Sequence, residues 1–184
     1  MNALWIDFVN SDWRDYRGSG RRQDRLEDPQ WLRKFRREWG LDGIDPRRPE
    51  HHLSLSRLRS LLQGIVGSIV AGAPPRQRDL AALNRWLSAR PVRSRLSSER
   101  GQFRLQLVPT ARGLDAVCFA IAASFAEFLV EGDLSRLRTC DNADCGWVFY
   151  DRTKSRTRRW CGDACGNLIK VREFRERRKR KSKS

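Results

Sequence analysis

The C-terminal part of the 184-residue chain contains two closely spaced cysteine pairs. The first lies in Cys140-Asp141-Asn142-Ala143-Asp144-Cys145, and the second lies in Cys161-Gly162-Asp163-Ala164-Cys165. Short-spaced cysteine pairs of this kind are typical of a tetrahedral zinc site, and a reducing cytosol disfavours the disulfide alternative. We therefore predict one Zn²⁺ ion bound by Cys140, Cys145, Cys161 and Cys165.

Four thiolates would leave zinc no free coordination position for water or substrate. The metal is therefore predicted to be structural, and no zinc-dependent catalysis is expected. His51 and His52 lie in no metal-binding motif, and the chain shows no Ser/His/Asp set or phosphate-binding glycine loop. These observations predict a protein that is not an enzyme. The fifth cysteine, Cys118, lies in an apolar segment and is interpreted as a core residue, which is also the alternative interpretation of the paired cysteines.

The sequence around the cysteines predicts a small treble-clef-like module made of a knuckle, a β-hairpin and a helix. Turn-forming residues at 140–146 favour a tight knuckle. Residues 147–150 have the composition of a strand, and 156–160 are predicted to return as the second strand of the hairpin. Because Cys161 and Cys165 are four residues apart, they are expected to lie one above the other on the first helical turn.

The predicted helix combines an apolar stripe with many basic side chains. Leu168, Val171 and Phe174 are three residues apart and are expected to pack on Trp147 and Phe149. Residues 177–184 are expected to form a frayed basic tail that gains order on a polyanion. Hairpin and helix together offer ten candidate contacts to nucleic acid, which are Arg152, Lys154, Arg156, Arg158, Arg159, Lys170, Arg172, Arg175, Arg177 and Arg178.

The net charge of +16 is concentrated at the C-terminal end of the chain. Residues 136–184 contain 16 Lys and Arg against 6 Asp and Glu, and so carry +10 of that charge. Such an excess opposes compaction and favours a polyanionic partner. A solvated basic face without a partner is the alternative interpretation of the same charges.

Residues 1–135 predict a mostly helical α+β domain with a short sheet, followed by the zinc module at 136–184. Leu4–Val9 reads as a short buried strand. Asp28 and Pro29 are predicted to open a helix that Gly40 closes.

Further helices and a hairpin are predicted in the same domain. One helix is expected to be capped by Ser54 or Ser56 and to stop at Gly72. Two more helices are predicted over 77–89 and 113–132, and a hairpin is predicted within 92–109.

Polar residues near the predicted strands form a candidate ligand pocket. Asp7, Asn10 and Arg14 lie in and after the first predicted strand, and Arg93 flanks a later one. Brought together, they can bracket a small polar effector. Structural hydrogen bonds and ion pairs are the alternative role for these four residues.

No apolar run approaches the ~20 residues needed to span a bilayer. The N-terminus lacks the basic start, apolar middle and small-residue cleavage site of a signal peptide. We therefore expect a cytoplasmic protein without a membrane partner.

Several motifs in the C-terminal part resemble the CGNR zinc-finger family. They are Arg138-Thr139-Cys140, Cys145-Gly146-Trp147-Val148-Phe149 and Trp160-Cys161-Gly162-Asp163-Ala164-Cys165-Gly166-Asn167. Earlier segments resemble the ABATE domain that usually precedes this zinc finger: Ile6-Asp7-Phe8-Val9-Asn10, Ala82-Leu83-Asn84, Pro91-Val92-Arg93-Ser94-Arg95-Leu96 and Gly113-Leu114-Asp115-Ala116-Val117. One departure is Leu168, which stands where the family signature Cys-Gly-Asn-Arg has its arginine.

The resemblance implies a function as well as a fold. The family is regarded as bacterial transcription regulators in which the zinc module binds DNA and the N-terminal domain senses stress or a ligand. For this chain the resemblance implies a nucleoid-associated transcription regulator with duplex DNA as its partner.

Two alternative functions and the oligomeric state stay open on sequence grounds. An RNA- or ribosome-associated protein would use the same basic surfaces, with Tyr150 stacking on an unpaired base. A redox switch would act through oxidation of the thiolates and release of zinc. A homodimer would match two DNA half-sites, and the apolar helices can supply its interface, although no seam is identifiable.

Overall fold

The computed structural model describes residues 3–45, 48–88, 92–99, 101–109 and 113–181, with only the backbone at 92, 93 and 107–109. Within these ranges the helices are α1 (Leu4–Val9), α2 (Pro29–Trp39), α3 (Pro49–Val70), α4 (Gln77–Ser88), α5 (Leu114–Glu131) and α6 (Asp163–Lys181). Three antiparallel pairs are formed by β1 (Asp12–Arg14) with β2 (Arg22–Asp24), β3 (Val92–Glu99) with β4 (Gln102–Pro109), and β5 (Leu137–Thr139) with β6 (Val148–Tyr150). The predicted α+β class, helical in its larger part, is confirmed.

The first element is a helix, and the predicted strand over Leu4–Val9 is wrong. Leu4, Trp5, Phe8 and Val9 are the buried residues of α1. Burial at adjacent pairs four residues apart follows the helical period, whereas a strand would bury alternate residues. Trp5 packs edge-on against Phe125 of α5, with ring centroids 4.9 Å apart. Tertiary packing therefore decides the conformation of a segment whose composition favours a strand.

The predicted caps of α2 are confirmed. Asp28 Oδ1 accepts hydrogen bonds from the backbone N–H groups of Gln30 and Trp31, at 2.8 and 3.3 Å. Gly40 ends the helix at a φ of 61°, a left-handed conformation that glycine adopts without strain.

The boundaries of the next helices agree with the sequence analysis except at one end. α3 begins at Pro49, several residues before the predicted caps Ser54 and Ser56, because proline is well suited to the first helical position. α4 and α5 occupy the segments predicted for them, and β3–β4 is the predicted hairpin. None of the helices in the described ranges combines the length and apolar character needed to cross a bilayer.

The main hydrophobic core lies where α1, α3, α4 and α5 meet. Leu58, Ile65, Ile121 and Phe125 are among its fully buried side chains. The same core includes Leu137 of β5 and Val148 of β6. The chain segment that carries the cysteines is therefore packed into the helical body rather than joined to it by a linker.

A buried ion pair ties the first sheet to α3. Arg59 is 7% exposed and donates from Nη1 and Nη2 to the two carboxylate oxygens of Asp24, at 2.6 and 2.5 Å. Burial raises the pKa of Asp24, but the hydrogen bonds from Arg59 and from the N–H of Leu26 outweigh burial and lower that pKa overall. A bidentate arginine–carboxylate contact of this kind fixes geometry as well as charge.

Candidate metal centre and basic surface

The four predicted ligands converge on one point. The sulfur atoms of Cys140, Cys145, Cys161 and Cys165 all lie within 4.8 Å of one another. The Cys145–Cys161 and Cys161–Cys165 sulfur atoms are 3.7 and 3.8 Å apart. Tetrahedral zinc with Zn–S bonds of about 2.3 Å places its ligands about 3.8 Å apart. The spacing thus fits zinc, and the free cysteines form no disulfide.

The knuckle is shaped by backbone hydrogen bonds and one glycine. The N–H of Cys140 donates to the carbonyl of Trp147 at 2.8 Å, and the N–H of Cys145 donates to the carbonyl of Asn142 at 2.8 Å. Gly146 follows with a φ of 67°. This left-handed residue turns the chain from the knuckle into β6, which a residue with a Cβ atom would do only with strain.

Two further donors point at the sulfur atoms. The N–H of Cys161 donates to Cys140 Sγ at 3.5 Å, and the side-chain amide of Asn142 donates to Cys165 Sγ at 3.6 Å. Hydrogen bonds to sulfur favour the thiolate over the thiol. Asn142 is 1% exposed and its amide also donates to the carbonyl of Tyr16 at 2.8 Å. From the sequence Asn142 is predicted only to form a turn, because composition alone does not show where an amide points.

Four thiols this close do not all ionise without a cation. The hydrogen bond from Cys161 lowers the pKa of Cys145 to about 6. The same hydrogen bond raises the pKa of Cys161 far above its usual range, and burial raises the pKa of Cys165 to about 11. The thiol of Cys145 therefore ionises more readily than those of Cys161 and Cys165. A divalent ion supplies the charge needed to hold four thiolates, which is the chemistry of a structural zinc site.

The strand pairing in the module differs from the predicted hairpin. β6 pairs with β5, so that Leu137 lies opposite Tyr150, and residues 156–160 form no strand. Both paired strands contribute apolar side chains to the main core, whereas the 156–160 segment is mostly arginine. Arg156 also has a φ of 56°, a left-handed conformation that an extended strand excludes.

Asp151 organises the loop that replaces the predicted second strand. It is fully buried, and its carboxylate accepts hydrogen bonds from the Thr153 N–H at 2.8 Å and from the Arg158 N–H at 2.9 Å. The hydrogen bond from the Thr153 hydroxyl, with these backbone donors, holds the pKa of Asp151 below its usual range. A buried carboxylate with its acceptors satisfied fixes the loop between β6 and Cys161.

Comparison with known families agrees with this architecture. Residues 2–132 match the family model ABATE, whose description reads "Putative stress-induced transcription regulator". The chain belongs to the ABATE family. Residues 136–178 match the CGNR zinc finger, so this ABATE protein carries one structural zinc ion on its four cysteines. No curated protein matches the chain.

The predicted basic contacts of this ABATE protein divide into two groups. The side chains of one group contact other residues of the same chain, and these contacts partly neutralise their charge. Arg172 donates to Asp144 at 2.9 Å and to the Arg17 carbonyl at 2.6 Å. Arg159 donates to Asp141 at 2.7 Å, and Arg156 lies 3.4 Å from Asp133. Arg158 donates to the carbonyls of Trp160 and Cys161, and Arg178 lies over the ring of Phe174.

The other group is exposed and has no ion-pair or hydrogen-bond partner within the described part of the chain. Three members of this group project from α6, whose apolar side chains Val171 and Phe174 are also largely exposed, at 45% and 53%. The members of the group are Arg152, Lys154, Lys170, Arg175 and Arg177.

Three predictions about the surroundings of α6 are wrong. Val171 and Phe174 are largely exposed rather than packed on Trp147 and Phe149, and the guanidinium groups of Arg25 and Arg158 lie over those two rings. The helix continues to Lys181 where a frayed tail was expected from 177, since Arg, Lys and Glu are good helix formers. Tyr150 is not an exposed stacking platform, because its ring packs edge-on against Phe128 with centroids 5.9 Å apart.

The four residues of the candidate ligand pocket are not all brought together. Asp7 accepts a hydrogen bond from Trp39 Nε1 at 3.1 Å, and burial raises its pKa. Asn10 is buried and exchanges two 2.9 Å hydrogen bonds with the backbone of Val148. Arg14 lies 3.7 Å from Asp12 and is half-exposed, and the side chain of Arg93 lies outside the described part of the structure.

Two clefts border the junction between the helical body and the zinc module. The smaller, of about 250 Å³, contains Asp7 and Asn10, and its other lining residues are Arg25, Trp31, Lys34, Phe35, Glu38 and Trp147. The larger, of about 880 Å³, lies between α1, α5 and Tyr150. Trp5 forms part of its wall, and its buried Nε1 has no hydrogen-bond partner in the described ranges. The sequence gives no signal for the larger cleft, which forms between segments far apart in the chain.

Proposed function

We propose that this ABATE protein is a DNA-binding transcription regulator in which the zinc ion fixes a basic helix for contact with duplex DNA. The observation that supports it most directly is the arrangement of α6. Cys165 lies in the first turn of this helix, and Lys170, Arg175 and Arg177 project from it without partners in the described chain. Nineteen residues span about 28 Å, and an α-helix fits the major groove of B-DNA.

The exposed cations suit phosphate contact. Neutralising phosphates releases counterions, which supplies affinity without sequence information. Side chains near the start of α6 are the ones nearest to base edges if the helix enters a groove end-on. Leu168 occupies the position of the signature arginine of the family, so this position cannot supply the contacts that an arginine makes.

Genome-wide footprinting of the zinc-loaded protein tests this proposal, with Cys161→Ser as the comparison. We expect protection at a limited set of sequences, lost in the variant because three thiolates no longer fix the helix. Competition between duplex DNA and structured RNA at matched salt belongs to the same experiment. Sequence-blind coverage, or preference for RNA, would contradict the proposal and favour the RNA- or ribosome-associated alternative.

The N-terminal region is proposed to sense a small polar effector in the 250 Å³ cleft. Asp7, Lys34 and Glu38 give this cleft charged lining, and Trp147 of the zinc module closes one side. Asn10 joins the cleft to β6 through its two hydrogen bonds with Val148. A ligand in this cleft would also contact Trp147, whose carbonyl accepts the hydrogen bond from the N–H of Cys140. Footprints recorded with and without an extract of polar metabolites would show whether occupancy changes DNA binding.

A redox switch is a second candidate, supported by the exposure of one ligand. Cys161 is partly exposed, whereas Cys140, Cys145 and Cys165 are buried. A thiolate attacks hydrogen peroxide, which breaks the O–O bond and gives a sulfenic acid and hydroxide. A second thiolate then attacks the sulfenic acid sulfur, releases hydroxide and forms a disulfide, which leaves zinc with two ligands. The sulfur atom of Cys161 lies 3.7 Å from that of Cys145 and 3.8 Å from that of Cys165, so either of these cysteines can form the disulfide with it.

The redox candidate predicts that micromolar peroxide releases about one zinc ion per chain, measured with a chromogenic zinc chelator. Reduction with a dithiol and added zinc should restore DNA binding. Cys118→Ala serves as the control because Cys118 is buried outside the site. Retention of zinc at such peroxide concentrations would rule this candidate out.

No catalytic role is part of the proposal, because four thiolates leave zinc no position for a substrate. A regulator of this kind would act in the bacterial cytoplasm, in association with the nucleoid.

A further inference from the structure

The β3–β4 hairpin presents an uncovered apolar face. Leu96 lies opposite Leu105, and Phe103 lies opposite Ser98. Because side chains alternate along a strand and cross-strand partners share a face, the three apolar residues lie on the same side of the hairpin. They are 65%, 75% and 71% exposed for Leu96, Phe103 and Leu105. We call this side the apolar face, and its described side chains are Ser94, Leu96, Ser98, Phe103 and Leu105.

The hairpin exposes its apolar side chains, whereas the hydrophobic effect would favour their burial. Its opposite side carries polar residues, which are Arg95, Ser97, Glu99, Gln102, Arg104 and Gln106. On that side Arg104 borders the 880 Å³ cleft and Ser97 is partly buried, whereas every described side chain of the apolar face is exposed. A two-stranded hairpin is at best marginally stable alone in water. Contiguous apolar surface of this kind marks an interaction site.

We infer that the apolar face is a docking surface for a second copy of this chain, packed face to face about a two-fold axis. The net charge of +16 makes two copies repel each other over most of their surfaces. None of the described side chains on the apolar face is charged, so two copies meet there without bringing like charges together. A two-fold contact also requires a surface that complements itself, and leucine, phenylalanine and serine side chains do so.

A lipid surface fits the hairpin less well than a second copy. Membrane-binding surfaces place basic side chains beside their apolar residues, where they reach anionic headgroups. Here Arg95 and Arg104 lie on the opposite side of the hairpin from Leu96 and Phe103. An anionic bilayer would draw the arginines toward it and turn the apolar face away.

The size of the face sets the strength of the contact. Strands of eight residues are about 27 Å long, and two of them with their side chains are roughly 10–15 Å wide. Two such faces bury on the order of 600–800 Å² in total, about half of a standard interface. The dimer is therefore weak in dilute solution, with a dissociation constant in the micromolar range or above, and it forms where copies are concentrated side by side.

Sedimentation velocity on the full-length, zinc-loaded protein tests the inference, over about 1–200 μM. The wild type should shift from monomer toward dimer as its concentration rises, and more so at high salt, where the repulsion between copies is screened. Phe103→Ser/Leu105→Ser should associate at least ten-fold more weakly. Gln102→Ser/Gln106→Ser is the matched control, because it makes two substitutions on the opposite side of the same strand, and it should associate like the wild type.

Amide hydrogen exchange of the wild type gives a readout that needs no variant. The amides of β3 and β4 should exchange more slowly at 200 μM than at 5 μM, while those of α3 should not change. A wild type that stays monomeric throughout would overturn the inference and leave the face to a different protein. Dimers retained by Phe103→Ser/Leu105→Ser, with circular dichroism and zinc content unchanged, would overturn it as well.

Discussion

Replacing Cys165 with serine should reduce zinc content from about one ion per chain to near zero and unfold the module around it. Zinc contributes about 10–16 kcal/mol to the folding of small zinc-finger peptides, whereas whole domains are stable by only about 5–15 kcal/mol. Besides the cysteines, the cluster around the site buries only Phe149, with Tyr16, Trp147 and Trp160 partly buried. So small an apolar cluster does not replace the metal.

The loss should extend into the helical body without unfolding it. Leu137 and Val148 belong to the main core, and removing one large core side chain typically costs about 2–5 kcal/mol. The core formed by residues such as Leu58, Ile121 and Phe125 does not depend on the metal. We therefore expect α1–α5 to remain folded with a melting temperature lowered by roughly 10–20 °C, since a loss of about 1 kcal/mol lowers the melting temperature of a protein of this size by about 2–4 °C.

Elemental analysis, circular dichroism at 222 nm and limited proteolysis measure these effects. Cys118→Ala is the matched control, since it also removes one buried thiol but lies outside the metal site. It should keep its zinc and its protease resistance. A Cys165→Ser protein that stays free of metal and still protects α6 from protease would contradict a structural role for zinc.

The metal site was predictable because its signal is local. Cysteine spacing alone identified Cys140, Cys145, Cys161 and Cys165, whose sulfur atoms the structure brings together. Helix ends were equally predictable where a cap such as Asp28 forms its hydrogen bonds within three residues. Within each cysteine pair, as within each cap, the interacting groups are near neighbours in the chain, so pattern and geometry coincide.

The failures share the opposite property. Residues 4–9 form a helix because Trp5 packs on Phe125. β6 pairs with β5 because Leu137 and Val148 pack in the main core. These contacts join segments far apart in sequence, and local composition carries no information about them. The buried residues of Leu4–Val9 follow a helical period, whereas the β-branched and aromatic residues of the same segment favour a strand.

The free cations of α6 should dominate the affinity for DNA. Neutralising Lys170, Arg175 and Arg177 to glutamine removes three side chains that have no partner in the described structure. If each side chain contacts one phosphate, the plot of log K, the DNA association constant, against log salt concentration should become less steep by roughly 2.7, since each contact contributes about 0.9 to the steepness. At physiological salt we expect binding to weaken by about two orders of magnitude for all sequences alike.

The control must change net charge equally and leave the proposed interface intact. Arg33, Arg37 and Arg85 are exposed on α2 and α4, and changing all three to glutamine lowers the net charge by the same amount. Fluorescence anisotropy with a labelled duplex, titrated at several salt concentrations, measures both slopes. The control variant should keep nearly the wild-type slope, because charges away from the DNA release no counterions. Equal losses in the two variants would show that net charge alone attracts DNA, and α6 would then have no special role in binding it.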